Sequence, residues 1–541
     1  MKSVSEAIRP AGYQLVPLAK VLANGLNAVL ICDGVGVGKT ISAGYIIAYF
    51  RSKTRKPAIV VCSPTLISKW AFELKSKFGI LALPVRSMDD LETAKDETIH
   101  RPVTSEQPTY IISNSLISQA DVKDYPPSSA TIFDEIHTYR NPDAEWHEGC
   151  LRLAKNSDVR VGLTATPINN RLEDIVAELS ILLANFDSEV VDAVIQDLWN
   201  SNRRALVGAL VTRFLKDKLG IHFAKRDIES VMVTYPESYI HEVLKATKEH
   251  TAGQGILELI TYYRLAASSP WAFWSALGRK DLREKWPDSK LDSVNRIISD
   301  RTNGISHWLI FCEFKQTAEF LSRKLNYDNV YTMTGETPMF DRPSIVQSFR
   351  TAPRALLVVT SVGSEGLDFQ FCGGLVNYDL HWNPMKLEQR AGRIDRVGQK
   401  RKMIRIVNIR VANSIDDRVI SVMRQKLDLI SGSVFAVDPL LSSHDRKIAG
   451  PTIYTEETLA HELNVSSSLV ETFRFNDKIE VEDYRGLSSI DTTFCQPSNL
   501  MNTPPLHPSD IVREREWSKS TSENARAVLG LLTHYSQGIA S

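Results

Sequence analysis

The chain lacks most of what marks a secreted or membrane-bound protein. Its six cysteines (Cys32, Cys62, Cys150, Cys312, Cys372 and Cys495) are scattered and include no C-x-x-C pair. Neither a zinc site nor a disulfide framework is therefore suggested, and a reducing compartment fits best. No apolar run approaches the roughly 18 residues of a membrane span, and the N-terminal MKSVSEAIRP has no apolar stretch of the secretory kind. These absences predict a soluble cytoplasmic protein with no membrane partner. Net charge is missing as well, because 64 Lys and Arg balance 64 Asp and Glu. That excludes a histone-like coat, so any attraction to nucleic acid has to come from local clusters. Nor is there a repeat of about 20–50 residues or a strongly low-complexity tract.

What is present is material for several cores. With 541 residues and 43% hydrophobic content, the chain is long enough for two or three domains. Short apolar runs recur at 27–32, 58–62, 110–113, 130–133 and 160–164, with helix-like stretches between them. After a gap the pattern returns at 307–312, 330–333, 355–360, 375–380 and 403–409. Strands alternating with helices predict parallel sheets covered on both faces, so the fold class is α/β with two lobes. Between them, residues from about 168 to 285 read as mostly helical; Leu172, Ile175, Val176, Leu179 and Leu183 share one helix face, as in a helical insertion packed on the first lobe. Beyond about residue 436, serines and prolines increase and the pattern fades.

Three segments carry chemistry. DGVGVGKT (33–40) follows a strand and has Gly36, Gly38, Lys39 and Thr40, although Asp33 stands where the strict phosphate-loop pattern has its first glycine. Glycines let backbone amides approach phosphate, Lys39 would neutralise the β and γ phosphates, and Thr40 would bind Mg²⁺. A plain tight turn remains the alternative. FDEIH (133–137) ends an apolar run and sets Asp134 and Glu135 at a strand tip, where α/β sheets bind ligands. Aspartate at the metal and glutamate at the attacking water is the division of labour that phosphoanhydride hydrolysis needs. An adjacent Asp–Glu pair is otherwise an ordinary solvated turn. WNPMKLEQRAGRIDRVGQ (382–399) places Arg393 and Arg396 behind Gln389 on what reads as one helical surface. Guanidinium groups stabilise the charge that spreads over a γ-phosphoryl group in its transition state, although R-x-x-R pairs also occur as salt-bridged surface.

Two basic stretches could meet a phosphate backbone. One is Arg203, Arg204, Arg213, Lys216, Lys218, Lys225 and Arg226, with Asp217 as the acidic residue noted among them. The other runs Lys386, Arg390, Arg393, Arg396, Lys400, Arg401, Lys402, Arg405 and Arg410 against Glu388 and Asp395. Trp382 beside the second could stack on a base or sugar, or pack in a core.

With these residues in place, the chain resembles the Swi/Snf-type superfamily-two ATPases, and within them the bacterial RapA/HepA-like branch. The matching segments are RPAGYQLVPL (9–18), DGVGVGKT, VVCSPTLISKW (60–70), FDEIH, LTATPINN (163–170), FCEFKQTAEFL (311–321), TSVGSEGLDFQFCGGLVNYDLHWNP (360–384) and the arginine segment. The resemblance implies two RecA-like lobes using ATP and Mg²⁺: 1–235 with a helical protrusion from about 170, a helical linker or insertion at 236–285, a second lobe at 286–435, and a C-terminal extension at 436–541 that could bind a protein partner. It implies that Gln14 reads adenine, that Asp33, Gly36, Gly38, Lys39, Thr40, Gly366 and Asp368 line the nucleotide, and that Thr40 and Asp134 hold the metal. Lys39, Asp134, Glu135, Gln389, Arg393 and Arg396 would be catalytic. Ser63, Pro64, Thr65, Ser361, Gly363 and Trp382 would touch nucleic acid, with Glu365 in the coupling block. Asp33 is what this family shows at the departed glycine, whereas Ile136 enlarges a position that is small in DEAH or DEGH. The short segment before Gln14 argues against polymerase recycling, and the RapA-like wording suggests a prokaryotic cytosol or nucleoid. The implied function is an ATP-dependent translocase on double-stranded DNA that displaces bound proteins or drives a partner enzyme, as in repair or defence. The alternatives are a strand-separating DNA or RNA helicase and an ATP-gated DNA clamp subunit.

Overall fold

The computed structural model describes residues 12–423 apart from 55, 101–106, 122–123, 166–172, 200–204, 215, 217–218, 220–222, 251–255, 361–365, 413, 417–418 and 421–422. Expectations for Arg203, Arg204, Lys218, Ser361, Gly363, Glu365, most of LTATPINN and the 436–541 extension lie outside the described residues. The described chain divides into two compact units at residues 221–222.

The first unit is built on β1 (Ala28–Ile31), β2 (Ala58–Cys62), β3 (Ala82–Val85), β4 (Thr109–Ser113), β5 (Ala130–Asp134), β6 (Arg160–Leu163) and β7 (Val211–Thr212). They form one sheet in the order β3-β4-β2-β5-β6-β1-β7, parallel throughout. β1, β2, β4 and β6 are buried along their whole length, which is why these runs read as continuous apolar stretches instead of alternating ones. On one face Val29, Ile31, Val60, Ile132 and Val161 pack against Ile46, Ile47, Trp70 and Leu74 from helices Lys39–Lys53 and Ile67–Phe78. These two helices meet so closely that a Cβ on Gly44 would fall 2.2 Å from the Phe78 ring. Of the expected helix face after residue 170, Ile175, Leu179 and Leu183 are fully buried, and helix Glu173–Leu182 packs on β1 and β6.

The second unit contains β8 (Lys225–Val233), β9 (His307–Cys312), β10 (Val330–Met333), β11 (Ala355–Thr360), β12 (Gly374–Asn377) and β13 (Met403–Val411). Its order is β10-β11-β9-β12-β13-β8, again all parallel. Strand residues alternate between two cores: Trp308, Ile310 and Cys312 face one, Leu309 and Phe311 the other.

Two expected boundaries shift. Residues 225–233, expected in the first lobe, pair with β13 along all of β8 and so belong to the second sheet. The 236–285 stretch is no linker: Tyr239, Val243, Leu265, Phe273 and Trp274 share a core with Trp308 and Val407. Apolar burial against the second sheet, not the gap in the strand pattern, determines where those helices go. Among the described residues no helix is long and apolar enough to cross a membrane.

Candidate active site

In the first unit, Ile31 of β1 and Asp134 of β5 are both in register with Leu163 of β6, so the C-terminal ends of β1 and β5 share one sheet edge. The glycine-rich segment leaves β1 there. Gly36 and Gly38 have φ of 85° and 95°, values that side-chain-bearing residues avoid, and Gly38 caps helix Lys39–Lys53. Lys39 folds back so that Nζ donates to the carbonyls of Asp33 (3.0 Å) and Gly34 (3.4 Å). Burial lowers the Lys39 pKa, opposed chiefly by Glu135 and Asp33. Thr40 is half-buried beside it. Gln14 lies over the loop, since a Cβ on Gly38 would be 3.0 Å from its Nε2, and Tyr13 Oη donates to the Val37 carbonyl at 2.6 Å.

Asp33 is fully buried. One carboxylate oxygen accepts the Phe214 N–H at 3.0 Å and the other has no hydrogen-bond partner among the described residues. Burial pushes its pKa up to about 6, against the pull of Lys39 and the Phe214 N–H. An aspartate at the departed glycine thus joins the loop to the segment after β7.

Asp134 Oδ2 accepts the Trp70 indole N–H at 2.7 Å. Burial, then the neighbouring Glu135, pushes the Asp134 pKa up to about 6. Glu135 has φ 49°, a left-handed conformation that is uncommon for a non-glycine residue and turns the chain directly after the strand. His137 Nδ1 lies 3.0 Å from Thr164 Oγ1 and 3.3 Å from Glu135 Oε2, joining the two motif segments. Ile136 is fully buried, and a Cβ on Gly162 would come 2.9 Å from its Cδ1, so the enlarged position fills space that a glycine provides. Ser63 and Thr65 hydrogen-bond each other at 2.8 Å, and Pro64 is exposed.

The second unit corrects the expected helix. Helix Pro384–Ala391 carries half-buried Gln389 and stops at Gly392, so Arg393 and Arg396 sit in the following turns and not on the helix. Glycine is a poor helix former. The turns are closed by Arg393 N–H to Arg390 O (3.0 Å) and Asp395 N–H to Ala391 O (2.8 Å). Arg393 donates to the Leu367 carbonyl at 3.4 Å, and Arg396 lies 3.6 Å from Asp368, so Gly366 to Asp368 and the arginine pair occupy one corner. Trp382 is half-buried, lies against Leu380, Leu387, Val419, Ile420 and Met423, and leans on the His381 ring.

Both basic stretches are less available than their composition suggests. Arg213 is buried and donates to the Cys32 and Ala165 carbonyls, and Lys216 is also buried. Arg226 is held by Glu388 and Asp395. Arg390 is bound by Asn377, the Asp379 carbonyl and Glu313, and Arg410 is buried. Exposed cations of the two stretches include Lys225, Lys386, Lys400 and Lys402. Sequence reasoning assigns no role to Trp70 or Glu178. The latter is fully buried, with no hydrogen-bond partner for either oxygen among the described residues. Its pKa is pushed well above the carboxylate range by burial and then by Asp174.

The donor set fits a magnesium nucleotide. Positive-φ glycines, a lysine beneath them and a strand-end aspartate are grouped on one edge. Among the described residues no cluster of three or more His, Cys, Asp or Glu could hold a metal, but Mg²⁺ bound with phosphates needs only one or two protein oxygens.

Parallel sheets whose strand ends carry a phosphate loop and a carboxylate pair define a nucleotide-binding α/β protein. The chain matches the SNF2-related domain over residues 16–200 and the helicase conserved C-terminal domain over 289–398. It is 25% identical to the uncharacterized ATP-dependent helicase YqhH of Bacillus subtilis, covering 80% of this chain and 81% of that protein. It is also 25% identical to the RNA polymerase-associated protein RapA of Pseudomonas putida, covering 72% of this chain but only 46% of RapA. Among solved structures, the Sulfolobus solfataricus SWI2/SNF2 ATPase core in complex with dsDNA aligns over 86% of this chain and 98% of that one, at 16% identity and a TM-score of 0.33. The chain thus carries an SNF2-related domain and a helicase conserved C-terminal domain, consistent with a Swi/Snf-type ATPase with RapA-like relatives.

Proposed function

We propose that the protein is an ATP-dependent translocase on double-stranded DNA. The observation that carries the reading is the shared edge of β1 and β5, which sets Lys39 and Thr40 together with Asp134 and Glu135. Lys39 and Thr40 bind the phosphates and their metal with Asp134, and Gln14 contacts the base. The bound Mg²⁺ supplies charge neutralisation on the phosphates. Glu135 orients and deprotonates the attacking water, while His137 holds its carboxylate. Arg393 and Arg396, assisted by Gln389, stabilise charge on the γ-phosphoryl group, and Gly366 and Asp368 line that corner. Ser63, Pro64, Thr65, Ser361, Gly363 and Trp382 contact the DNA backbone. Residues 436–541 engage a protein partner, and the protein works in the cytoplasm, displacing bound proteins or driving a partner enzyme.

Steady-state ATP hydrolysis without nucleic acid, then with duplex DNA, single-stranded DNA and RNA, tests this. Glu135→Gln and Arg396→Ala are run beside the wild type. Strong stimulation by duplex, lost in both variants, is expected; no stimulation by any nucleic acid would overturn it. The helicase names of relatives favour one rival, strand separation. A displacement assay showing unwinding would replace translocation by that reading.

A further inference from the structure

The arginine-bearing turns are held by a side chain that lies in none of the motifs. Arg226 of β8 donates from Nη1 and Nη2 to the two carboxylate oxygens of Glu388, at 2.6 and 2.8 Å, and from Nε to Asp395 Oδ2 at 2.8 Å. The three side chains are 5%, 4% and 2% exposed. Glu388 immediately precedes Gln389, and Asp395 immediately precedes Arg396, with Arg393 between them. One guanidinium therefore grips the segment at both ends of its functional residues.

The residue type matters. A planar fork of five donors satisfies one carboxylate bidentately while a third N–H reaches another, whereas an ammonium group is a point charge without that geometry. Stability alone does not explain the arrangement, because buried ion pairs are often no better than apolar packing of equal volume. β8 is itself a firm base, in register with β13 from Met403↔Lys225 to Val411↔Val233. Arg390, inside the same segment, is anchored separately by Asn377, the Asp379 carbonyl and Glu313.

We propose that Arg226 is a positioning residue for Arg393 and Arg396, setting the angle at which the pair meets the transferring phosphoryl group without touching substrate itself. This rests on reading the pair as ligands of that group. Arg226→Lys keeps the charge and removes the fork; Asp395→Asn keeps the shape and removes one charge, and it gives the same readout should the lysine variant fail to fold. Arg405→Lys, at a half-exposed β13 residue paired with Glu229 and Asp300, is the control.

In the full-length chain, affinity for ADP alone is compared with affinity for ADP plus aluminium fluoride, a mimic of the phosphoryl transition state. Arg226→Lys should weaken binding of the mimic about tenfold or more while ADP affinity stays within about twofold. Added to the Arg393→Ala, Arg396→Ala double variant it should cause no further loss, and added to Arg396→Ala alone less than its full effect, because the contacts it positions are then wholly or partly gone. Unchanged binding of the mimic, equal losses for ADP and the mimic, or full additivity with Arg396→Ala would overturn the proposal. If Arg396→Ala itself leaves binding of the mimic and ATP hydrolysis intact, the reading of the arginine pair fails first.

Discussion

The two sheets have the same strand order. The run β3-β4-β2-β5-β6-β1 of the first corresponds to β10-β11-β9-β12-β13-β8 of the second, and among the described residues only β7 has no counterpart. β8 thus occupies the place of β1, and β12 that of β5. Their edges differ in chemistry. β1 runs into glycines of positive φ, whereas β8 is followed by Pro236 and helix Glu237–His250. β5 ends on Asp134, whose carboxylate accepts the Trp70 indole N–H. Beyond β12, the Asp379 carboxylate is engaged by Lys290 (3.2 Å), Ser268 (2.9 Å) and the Glu313 N–H (2.9 Å). The scaffold repeats and the site does not, because function lies in the groups grafted onto the strand ends. At the first edge Asp134 accepts from the Trp70 indole and the Glu135 N–H while Glu135 stays partly exposed; the acidic group at the second edge is committed to a buried lysine, a serine and a backbone N–H.

Asp134→Asn should lower nucleic-acid-stimulated turnover by about 10²–10⁴, with a small change in the unfolding midpoint. Asp379→Ala should do the reverse, costing about 3–5 kcal/mol by denaturant titration because fully buried Lys290 loses a partner. Equal effects of both on turnover at intact stability would break the contrast between the edges. Next in size, Ile136→Ala, which restores the small residue of the DEAH pattern, should destabilise the first unit by about 2–5 kcal/mol through the cavity left over Gly162. Full stability in that variant would show that the space collapses. The smallest effect is expected at Glu178. Glu178→Leu should stabilise by about 1–3 kcal/mol, since it removes a buried carboxyl group with no hydrogen-bond partner among the described residues.

The pH dependence of that last variant sharpens the comparison. Glu178 and Asp33 both have folded-state pKa values above those of the unfolded chain. At intermediate pH the folded state therefore holds protons that the unfolded chain has released, so their contribution favours folding less as pH rises. For Asp33 the loss runs from 3.8 to about 6; for Glu178 it starts at 4.5 and runs upward from there. A pH series of denaturant titrations should slope downward over this range and be less steep in Glu178→Leu, where the Asp33 contribution remains; a rise with pH would contradict the assignment.

Much of the fold and site is legible in the sequence because phosphate chemistry is local along the chain. The glycine loop and the Asp134–Glu135 pair are contiguous, and ten apolar runs match ten strands. Three strands escape for physical reasons. β3 contains Pro84 at a sheet edge, where a missing N–H is tolerated. β7 has only two residues. β8 (KRDIESVMV) is a charged edge strand, which presents little apolar signal. Long-range partners are hidden too: nothing near Arg213 or Arg226 in the chain announces the carbonyls and carboxylates that bury them. The spacing of the arginine pair suits a helix, but Gly392 ends that helix first.

The hydrogen bond from Trp70 to Asp134 has an optical consequence. Indole emission responds to charge near the ring nitrogen, and Trp70 is only 2% exposed, so bulk solvent contributes little to its environment. A cation drawing electron density from that carboxylate would shift the emission of this one ring. Subtracting the spectrum of a Trp70→Phe protein from that of the wild type isolates its contribution from the nine tryptophans of the chain. The fold thus carries an intrinsic fluorophore on the carboxylate proposed to hold the metal, and occupancy can be followed in real time without a label.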